Sequence, residues 1–418
     1  MVTWSVEREA EVKSMPLKVR NSLTRRKEIL TPSSGGELKM FVCGPTVYDY
    51  VHLGHARTYL AFDTITRYLK FLGYKVRYLM NITDVAERVV QRAEQLKRDP
   101  VDLAREYEEA FLDDMRALGI TEVDIFERAS EAIPRMVEQV AGLIEKGFAY
   151  ETQTGVYFEV EKYPKFGQLS GQSHEELSLR RLELCSSKRN PEDFSLWRKY
   201  DKGLAWDSPW GRGRPGWHIE DTAVSMATFG DTYDIHGGAS ELIFPHHEAE
   251  IAQAESLTGK APFVRYWLHT GLLNVGVRKM SKSLGNMIRI RDALKEYTAA
   301  ELRFYFASVH YREPMAYSHT GLKRARRRLS RLQKNFNSFT QAQVRGGGYE
   351  GKTSATLARY ESKFKRFMND DFNTPRALTV LEEFAAALGR MGRRVDQDSK
   401  MNLEDGFRKM ANVLGILS

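Results

Sequence analysis

Leu38-Lys39-Met40-Phe41-Val42-Cys43-Gly44-Pro45 opens the stretch that decides the fold, which runs on through His52-Leu53-Gly54-His55 to Leu72 and then Lys75-Val76-Arg77-Tyr78-Leu79-Met80-Asn81-Ile82. Leu38 to Val42 is a short strand-like run, the amphipathic segment from Gly54 to Leu72 reads as a helix, and Gly73 precedes a second strand-like run. A strand, turn, helix, strand order predicts an α/β fold, with a Rossmann-like parallel sheet and a right-handed crossover. Ligands of such sheets gather at the carboxyl ends of the strands, where Cys43 and the residues after Ile82 lie.

Working outward, residues 121–206 loosen into a helix around Ala132 to Gly147, a hairpin near Tyr150 to Val160 and a stretch rich in Ser and Arg. This reads as an inserted connective subdomain, with strand-rich sequence resuming from Gly216 through Asn286. Beyond it the chain is expected to be α-helical, and Leu322, Leu329, Leu332, Phe336 and Phe339 outline one apolar face. Gly346-Gly347-Gly348, within Gln341 to Ser354, is a linker signal, because triglycine holds a regular element only at high entropic cost. Thr374 as N-cap with Pro375 in the first turn begins a further helix of a terminal helical bundle. The expected units are 1–120 and 207–286 for the two halves of the sheet domain, 121–206 for the insertion, 287–345 for a helical region and 346–418 for the bundle.

At 418 residues and 42% hydrophobic content the chain supports several domains. Its two cysteines, Cys43 and Cys185, exclude a disulfide framework and fit a reducing compartment. No apolar run approaches membrane-spanning length and no secretory signal is evident at the start, so a cytoplasmic location is expected, without membrane partners and with a monomer slightly favoured. Lys and Arg outnumber Asp and Glu by 63 to 55, a net charge of +8 that suits a polyanionic partner.

His52-Leu53-Gly54-His55 and Lys279-Met280-Ser281-Lys282-Ser283 lie far apart in the chain. Each is short, yet together and in this order they resemble the HIGH and KMSKS signatures of class I aminoacyl-tRNA synthetases. Forming an aminoacyl-adenylate requires a carboxylate to attack the α-phosphate of ATP while charge develops on phosphoryl oxygens and pyrophosphate, so cations and donors must meet it. A helix amino terminus offers N–H groups and a positive dipole end, and Gly54 allows close approach of the backbone. His52 and His55 can donate to phosphates, and a mobile loop bearing Lys279 and Lys282 can close over the pyrophosphate. His52, His55, Lys279 and Lys282 are the expected catalytic residues. The expected ATP site adds Gly54, Met280, Ser281 and Ser283, with Mg2+ accompanying the triphosphate.

Further segments narrow the resemblance: Phe41 to Asp49, Asn81-Ile82-Thr83-Asp84, Gly213 to Glu220, Phe244 to Glu250 and Asp370 to Pro375. These are similar to the cysteinyl-tRNA synthetase family. The resemblance implies one zinc ion held by Cys43, by the residue at position 221, and by His246 and Glu250. The family carries cysteine where this sequence has Asp221, which is itself a zinc ligand and preserves the formal charge of a thiolate. Zinc would select the thiol of L-cysteine over the hydroxyl of serine. By the same resemblance Gly44, Thr46, Thr83, Trp217 and His218 join Cys43 around the substrate. Glu241 stands where the family usually has aspartate.

For the acceptor, the resemblance implies tRNA(Cys). The basic residues Lys323, Arg324, Arg326, Arg327, Arg328 and Arg331 are placed to follow its phosphates. A typical bacterial family member continues beyond the equivalent of Ser418 into a small anticodon-binding domain. Related short ligases join cysteine to the amine of an amino sugar, so a small-amine acceptor is the alternative. A catalytically silent RNA-binding paralogue is a third reading.

Overall fold

The computed structural model describes residues 15–33, 35–172, 187–201, 203–276, 278–280, 287–344, 352–392 and 394–417, with 278 and 279 described by their backbone. Ser281, Lys282, Ser283, Cys185 and the Gly346–Gly348 linker lie outside the described residues.

A short hairpin of β1 (Lys18–Arg20) and β2 (Lys27–Ile29) precedes β3 (Glu37–Val42), α1 (Leu53–Phe71) and β4 (Lys75–Ile82). β3 and β4 pair in parallel from Glu37↔Lys75 to Val42↔Met80, as the crossover order predicts. α1 buries Leu53, Ala56, Leu60, Ile65 and Leu69, a helical period that covers one face of the sheet. After α2 (Glu87–Leu96) and α3 (Pro100–Ala117), β5 (Ile125–Arg128) extends the sheet.

The insertion contributes α4 (Ile133–Glu145) and an antiparallel sheet of β6 (Ala149–Glu151), β7 (Gly155–Phe158), β8 (Phe194–Lys199) and β9 (Gly213–Pro215). Then follow α5 (Trp217–Phe229), β10 (Tyr233–Ala239), α6 (Glu248–Thr258) and β11 (Val264–Thr270). The completed parallel sheet has the order β11-β10-β3-β4-β5. The strand-rich stretch from Gly216 begins with a helix, α5, before its strands β10 and β11. α5 is buried on most sides, at Ile219, Ala223, Val224 and Phe229 among others, so its apolar residues lack the stripe that marks a surface helix.

Past β12 (Leu273–Val275) and β13 (Arg278–Lys279) come α7 (Ile290–Glu296), α8 (Ala299–Ala307), β14 (Met315–Tyr317), α9 (His319–Thr340), α10 (Thr353–Met368), α11 (Thr374–Met391) and α12 (Gln397–Leu414). β14 interrupts the expected all-helical stretch by pairing with β12 from Leu273↔Met315 to Val275↔Tyr317. Leu322, Leu329, Leu332, Phe336 and Phe339 of α9 are all buried, as their spacing predicts. The cap of α11 is Asn373, whose side chain accepts from the Arg376 N–H, so Thr374 and Pro375 are its first two helical residues.

One apolar core runs without interruption from Leu38 and Met40 of the sheet, through Phe62 of α1 and Phe304 of α8, to Phe407 and Leu414 of α12. Within it lies an ion pair between Arg303 and the fully buried Asp63. Arg303 also donates to the carbonyls of Leu414 at 3.0 Å, Leu118 at 3.2 Å and Gly119 at 3.1 Å, tying α12 to the turn after α3. Removing Arg303 takes one of two guanidinium groups from the buried Asp63, which keeps Arg67 Nε at 2.8 Å and Thr121 N–H at 3.0 Å, and leaves the Leu414 and Leu118 carbonyls short of a donor. Arg303→Met is expected to destabilise the protein by about 1–3 kcal/mol, and adding Asp63→Leu should deepen the loss, because it also removes the acceptor of Arg67 and of the Thr121 N–H. Denaturant midpoints of the single and double variants check this.

Candidate active site and metal cluster

The carboxyl ends of β3 and β4 meet at Gly44, whose N–H donates to Asn81 Oδ1 at 2.7 Å. A Cβ on Gly44 would lie 1.7 Å from the Asn81 carbonyl oxygen, so only glycine permits this approach. Beyond it the two chains remain joined through Val47 N–H to the Thr83 carbonyl and Thr83 N–H to the Pro45 carbonyl, at 3.2 and 3.1 Å.

His52 is the N-cap of α1, and its Nδ1 accepts from Gly54 N–H at 3.0 Å. His55 Nδ1 accepts from His52 N–H at 3.3 Å, and the two rings lie 4.1 Å apart. Both Nδ1 atoms are thus acceptors, which puts the proton of each neutral ring on Nε2. A Cβ on Gly54 would come within 2.7 Å of the His52 ring.

The flanks of the lysine loop are anchored beside this turn. Met280 N–H donates to the Leu273 carbonyl at 2.9 Å, while Leu53 N–H donates to Ile288 at 2.9 Å and Ile290 N–H to Val51 at 3.3 Å. The backbone of Lys279 lies in β13, directly before the segment outside the described residues. Two motifs distant in sequence are therefore neighbours.

They border a cleft of about 490 Å3 lined by Cys43, Gly44, Thr46, His52, Gly54, His55, Thr83, Trp217, Asp221, His246 and Met280, with Glu241 at its edge. His218 is not on that lining. It stands behind His246, with the two Nδ1 atoms 2.9 Å apart. Trp217 stacks on His246 at 4.3 Å and 16°, clamping the ring from the other side.

Beneath the cleft lies a cluster of metal-ligating groups. Cys43, His246, His247 and Glu250 form one quartet whose donor atoms lie within 4.8 Å of one another, and Cys43, Asp221, His236 and Glu250 form another. The four residues expected to hold zinc are thus distributed over two overlapping sets. His246 Nε2 is 3.2 Å from Asp221 Oδ2 and 3.2 Å from Glu250 Oε1. Asn81 Nδ2 donates to Asp221 Oδ1 at 2.8 Å, orienting that carboxylate.

His236, His247 and His269 were not anticipated from the sequence. His247 Nε2 lies 3.1 Å and His236 Nε2 3.4 Å from Cys43 Sγ. His247 Nδ1 contacts His269 Nε2 at 2.8 Å, and His269 Nδ1 contacts Ser22 Oγ at 2.8 Å. The available signal was a histidine within each of two buried parallel strands, β10 and β11, together with the His246-His247 doublet.

The residues fit a divalent cation. Burial pushes the Cys43 thiol well above its ordinary value, and the charges of Asp221 and Glu250 push it further. Burial and then Asp221 likewise raise the Glu250 carboxyl, whose two oxygens have no hydrogen-bond partner. Burial holds His236 and His247 well below the usual imidazole range and His269 down at about 3, so these rings are neutral, the form that ligates metals. One thiol, carboxylates and imidazoles suit Zn2+, whose charge reverses the penalty on the anions.

A sign follows. With its value raised, Cys43 is protonated at neutral pH without metal, and ligation requires the thiolate. Zinc added to chelator-treated protein should release protons, bind more weakly as pH falls, and release fewer protons in Cys43→Ser. Indicator-dye titration with metal analysis checks all three.

The chain matches the family model described as the tRNA synthetases class I (C) catalytic domain over residues 29–327, and that of the DALR domain over residues 363–418. The cysteine–tRNA ligase of Thermococcus onnurineus is 44% identical over 413 residues, 96% of this chain and 87% of the relative. That of Anoxybacillus flavithermus is 43% identical over 409 residues, 96% and 88% of the two chains. Among solved structures, Mycobacterium tuberculosis methionyl-tRNA synthetase in complex with methionyl-adenylate superposes with a TM-score of 0.63 at 17% identity, covering 91% of this chain and 90% of that one. The LeuRS of Agrobacterium radiobacter K84, in its ternary complex with tRNA and LeuAMS, gives 0.67 at 12% identity, covering 93% and 84%. These two share the fold.

Proposed function

Because the chain belongs to the cysteine–tRNA ligase family of class I synthetases, we propose that it condenses L-cysteine with ATP to cysteinyl-adenylate, releases pyrophosphate, and passes the cysteinyl group to the 3′ end of tRNA(Cys). The observation that carries this reading is that Cys43, Asp221 and His246, members of the two overlapping buried quartets that share Cys43 and Glu250, line the same cleft as His52 and His55.

In this reading the α1 amino terminus, Gly54 and the Nε2 protons of His52 and His55 meet the phosphates of ATP. Lys279 and Lys282 neutralise the charge that builds as pyrophosphate departs. Met280, Ser281 and Ser283 complete the loop, and Mg2+ accompanies the triphosphate. Cys43, Asp221, His246 and Glu250 hold zinc, which when bound supplies selectivity for a thiol over a hydroxyl by favouring the deprotonated sulfur. Trp217 and His218 fix the His246 ring between them. Gly44, Thr46 and Thr83 supply the backbone and hydroxyl wall around the amino acid.

The basic face of α9 is divided. Arg326 binds Glu301 at 2.7 Å and Arg328 binds Glu382 at 2.6 Å, with Arg331 3.9 Å from the same Glu382, so these charges are partly spent within the protein. Lys323, Arg324 and Arg327 stand exposed and are better placed to meet RNA phosphates.

Purified enzyme with Mg2+ and zinc is expected to catalyse cysteine-dependent ATP–pyrophosphate exchange and to charge tRNA(Cys). Exchange without charging would move the acceptor to a small amine, and absence of both would remove the activity altogether. Lys279→Ala and Lys282→Ala should each slow exchange by about 10²- to 10³-fold, the usual cost of one transition-state donor. Replacing Lys323, Arg324 and Arg327 by Ala should weaken tRNA binding and lower the slope of log affinity against log salt by about 1 per lost phosphate contact, with exchange unchanged. A salt series of binding measurements reads this directly.

A further inference from the structure

A second chamber of about 450 Å3 adjoins the cleft and shares Thr46, Arg88 and Trp217 with it. Arg198 of β8 and Arg214 of β9 also line it, facing the acidic Glu87 and Glu220. Two helices begin on its wall. α2 has Ala86 and α5 has Gly216 as N-cap, and neither cap makes a side-chain hydrogen bond, so the first N–H groups and the positive dipole ends lie at the chamber. Gly216 is packed so closely on the Ser195 carbonyl that a Cβ would lie 1.9 Å away, which excludes a side chain there.

Arg214 provides the independent sign of a ligand. It is only 6% exposed, yet its Nη1 is buried without any hydrogen-bond partner. Its Nη2 sits 3.2 Å from Glu87, and its guanidinium lies over the Tyr200 ring at 4.7 Å, which holds it in place. Glu220, 2% exposed on the same chamber, has a buried Oε2 that is likewise unpartnered. An orphaned cationic donor and an orphaned acceptor are both costly in an interior. A single occupant relieves them if it brings an anionic oxygen for Arg214 and a hydroxyl for Glu220. One nucleotide of an RNA chain carries both, as phosphate and ribose.

Resting on the proposed activity, we infer that this chamber receives the 3′-terminal nucleotide of the RNA acceptor, Arg214 donating to its phosphate and Glu220 accepting from a ribose hydroxyl. The shared wall at Thr46 and Trp217 is the passage by which that nucleotide reaches the activated cysteine. Arg198 and the two helix amino termini add positive potential along the entry. Arg214 is thereby an acceptor-binding residue, outside the machinery of adenylate formation.

The test separates the two half-reactions. In Arg214→Ala and Arg214→Lys, cysteine-dependent ATP–pyrophosphate exchange is expected to stay within about twofold of the parent. Single-turnover transfer from preformed cysteinyl-adenylate to tRNA should slow by about 10- to 100-fold in Arg214→Ala, the equivalent of one hydrogen bond to a charged group. Removing the terminal adenosine from the tRNA should weaken binding to the parent enzyme, and weaken it less in Arg214→Ala. Transfer at the parental rate, or exchange falling in step with transfer, overturns the assignment. If Arg214→Ala fails to fold by thermal melting, the more exposed Arg198→Ala replaces it, with slowed transfer and normal exchange expected and parental transfer counting against the chamber. A parent enzyme lacking exchange would defeat the proposed activity instead. The comparison of intact and shortened tRNA would then still decide whether the chamber holds the terminal nucleotide.

Discussion

Asn81 holds three things at once. Its Oδ1 accepts from Gly44 N–H at 2.7 Å, and its Nδ2 donates to Asp221 Oδ1 at 2.8 Å and lies 3.3 Å from Thr83 Oγ1. One buried amide thus sets the spacing between the ends of β3 and β4, aims the carboxylate that replaces the family thiol, and orders the hydroxyl beside the amino-acid pocket. Asn81, Thr83 and Asp221 are buried and Gly44 is half-buried, so water does not substitute for this amide without loss. The cleft, the cluster beneath it and the chamber beside it are all positioned relative to this junction.

The cluster itself is an electrostatic conflict that the fold maintains. Cys43, Asp221 and Glu250 are nearly inaccessible to solvent, and each ionised member makes ionisation of Cys43 harder. His236 and His247 are desolvated into neutrality and so do not supply the missing positive charge. A chain that keeps such an arrangement forgoes stability unless a cation relieves it. Arg303 and Asp63 answer the same problem differently, since there the two opposite charges are both supplied by the chain and fully bonded.

The parts legible in the sequence were those written locally. The strand, helix, strand unit from Leu38 to Ile82 had clean periodicity, and the turn at His52 and the apolar stripe of α9 were equally explicit. Misreadings arose where tertiary packing overrode local pattern. α5 is buried too completely to show a stripe, and β14 is three residues whose pairing with β12 crosses a long stretch of chain. The Arg326 and Arg328 ion pairs were invisible because Glu301 and Glu382 lie on other helices. His236 reaches Cys43 only because β10 pairs with β3, and His269 joins His247 from β11, which pairs with β10. Adjacency of that kind is a property of topology and cannot be read from spacing.

The uninterrupted core from Met40 to Leu414 has a consequence for how damage spreads. Sheet and terminal helices share side chains such as Tyr68, which bonds Asn369 at 2.6 Å and packs edge-on to Phe364, so no layer of solvent separates them as a line of failure. Such a body comes apart cooperatively. A lesion at Phe407, whose ring stacks on Phe336 at 4.4 Å, touches neither nucleotide nor RNA, yet it would lower the amount of every activity together. Genetic screens on this chain would therefore find loss-of-function changes deep in the terminal helices that affect abundance and leave the catalytic constants of the surviving molecules intact.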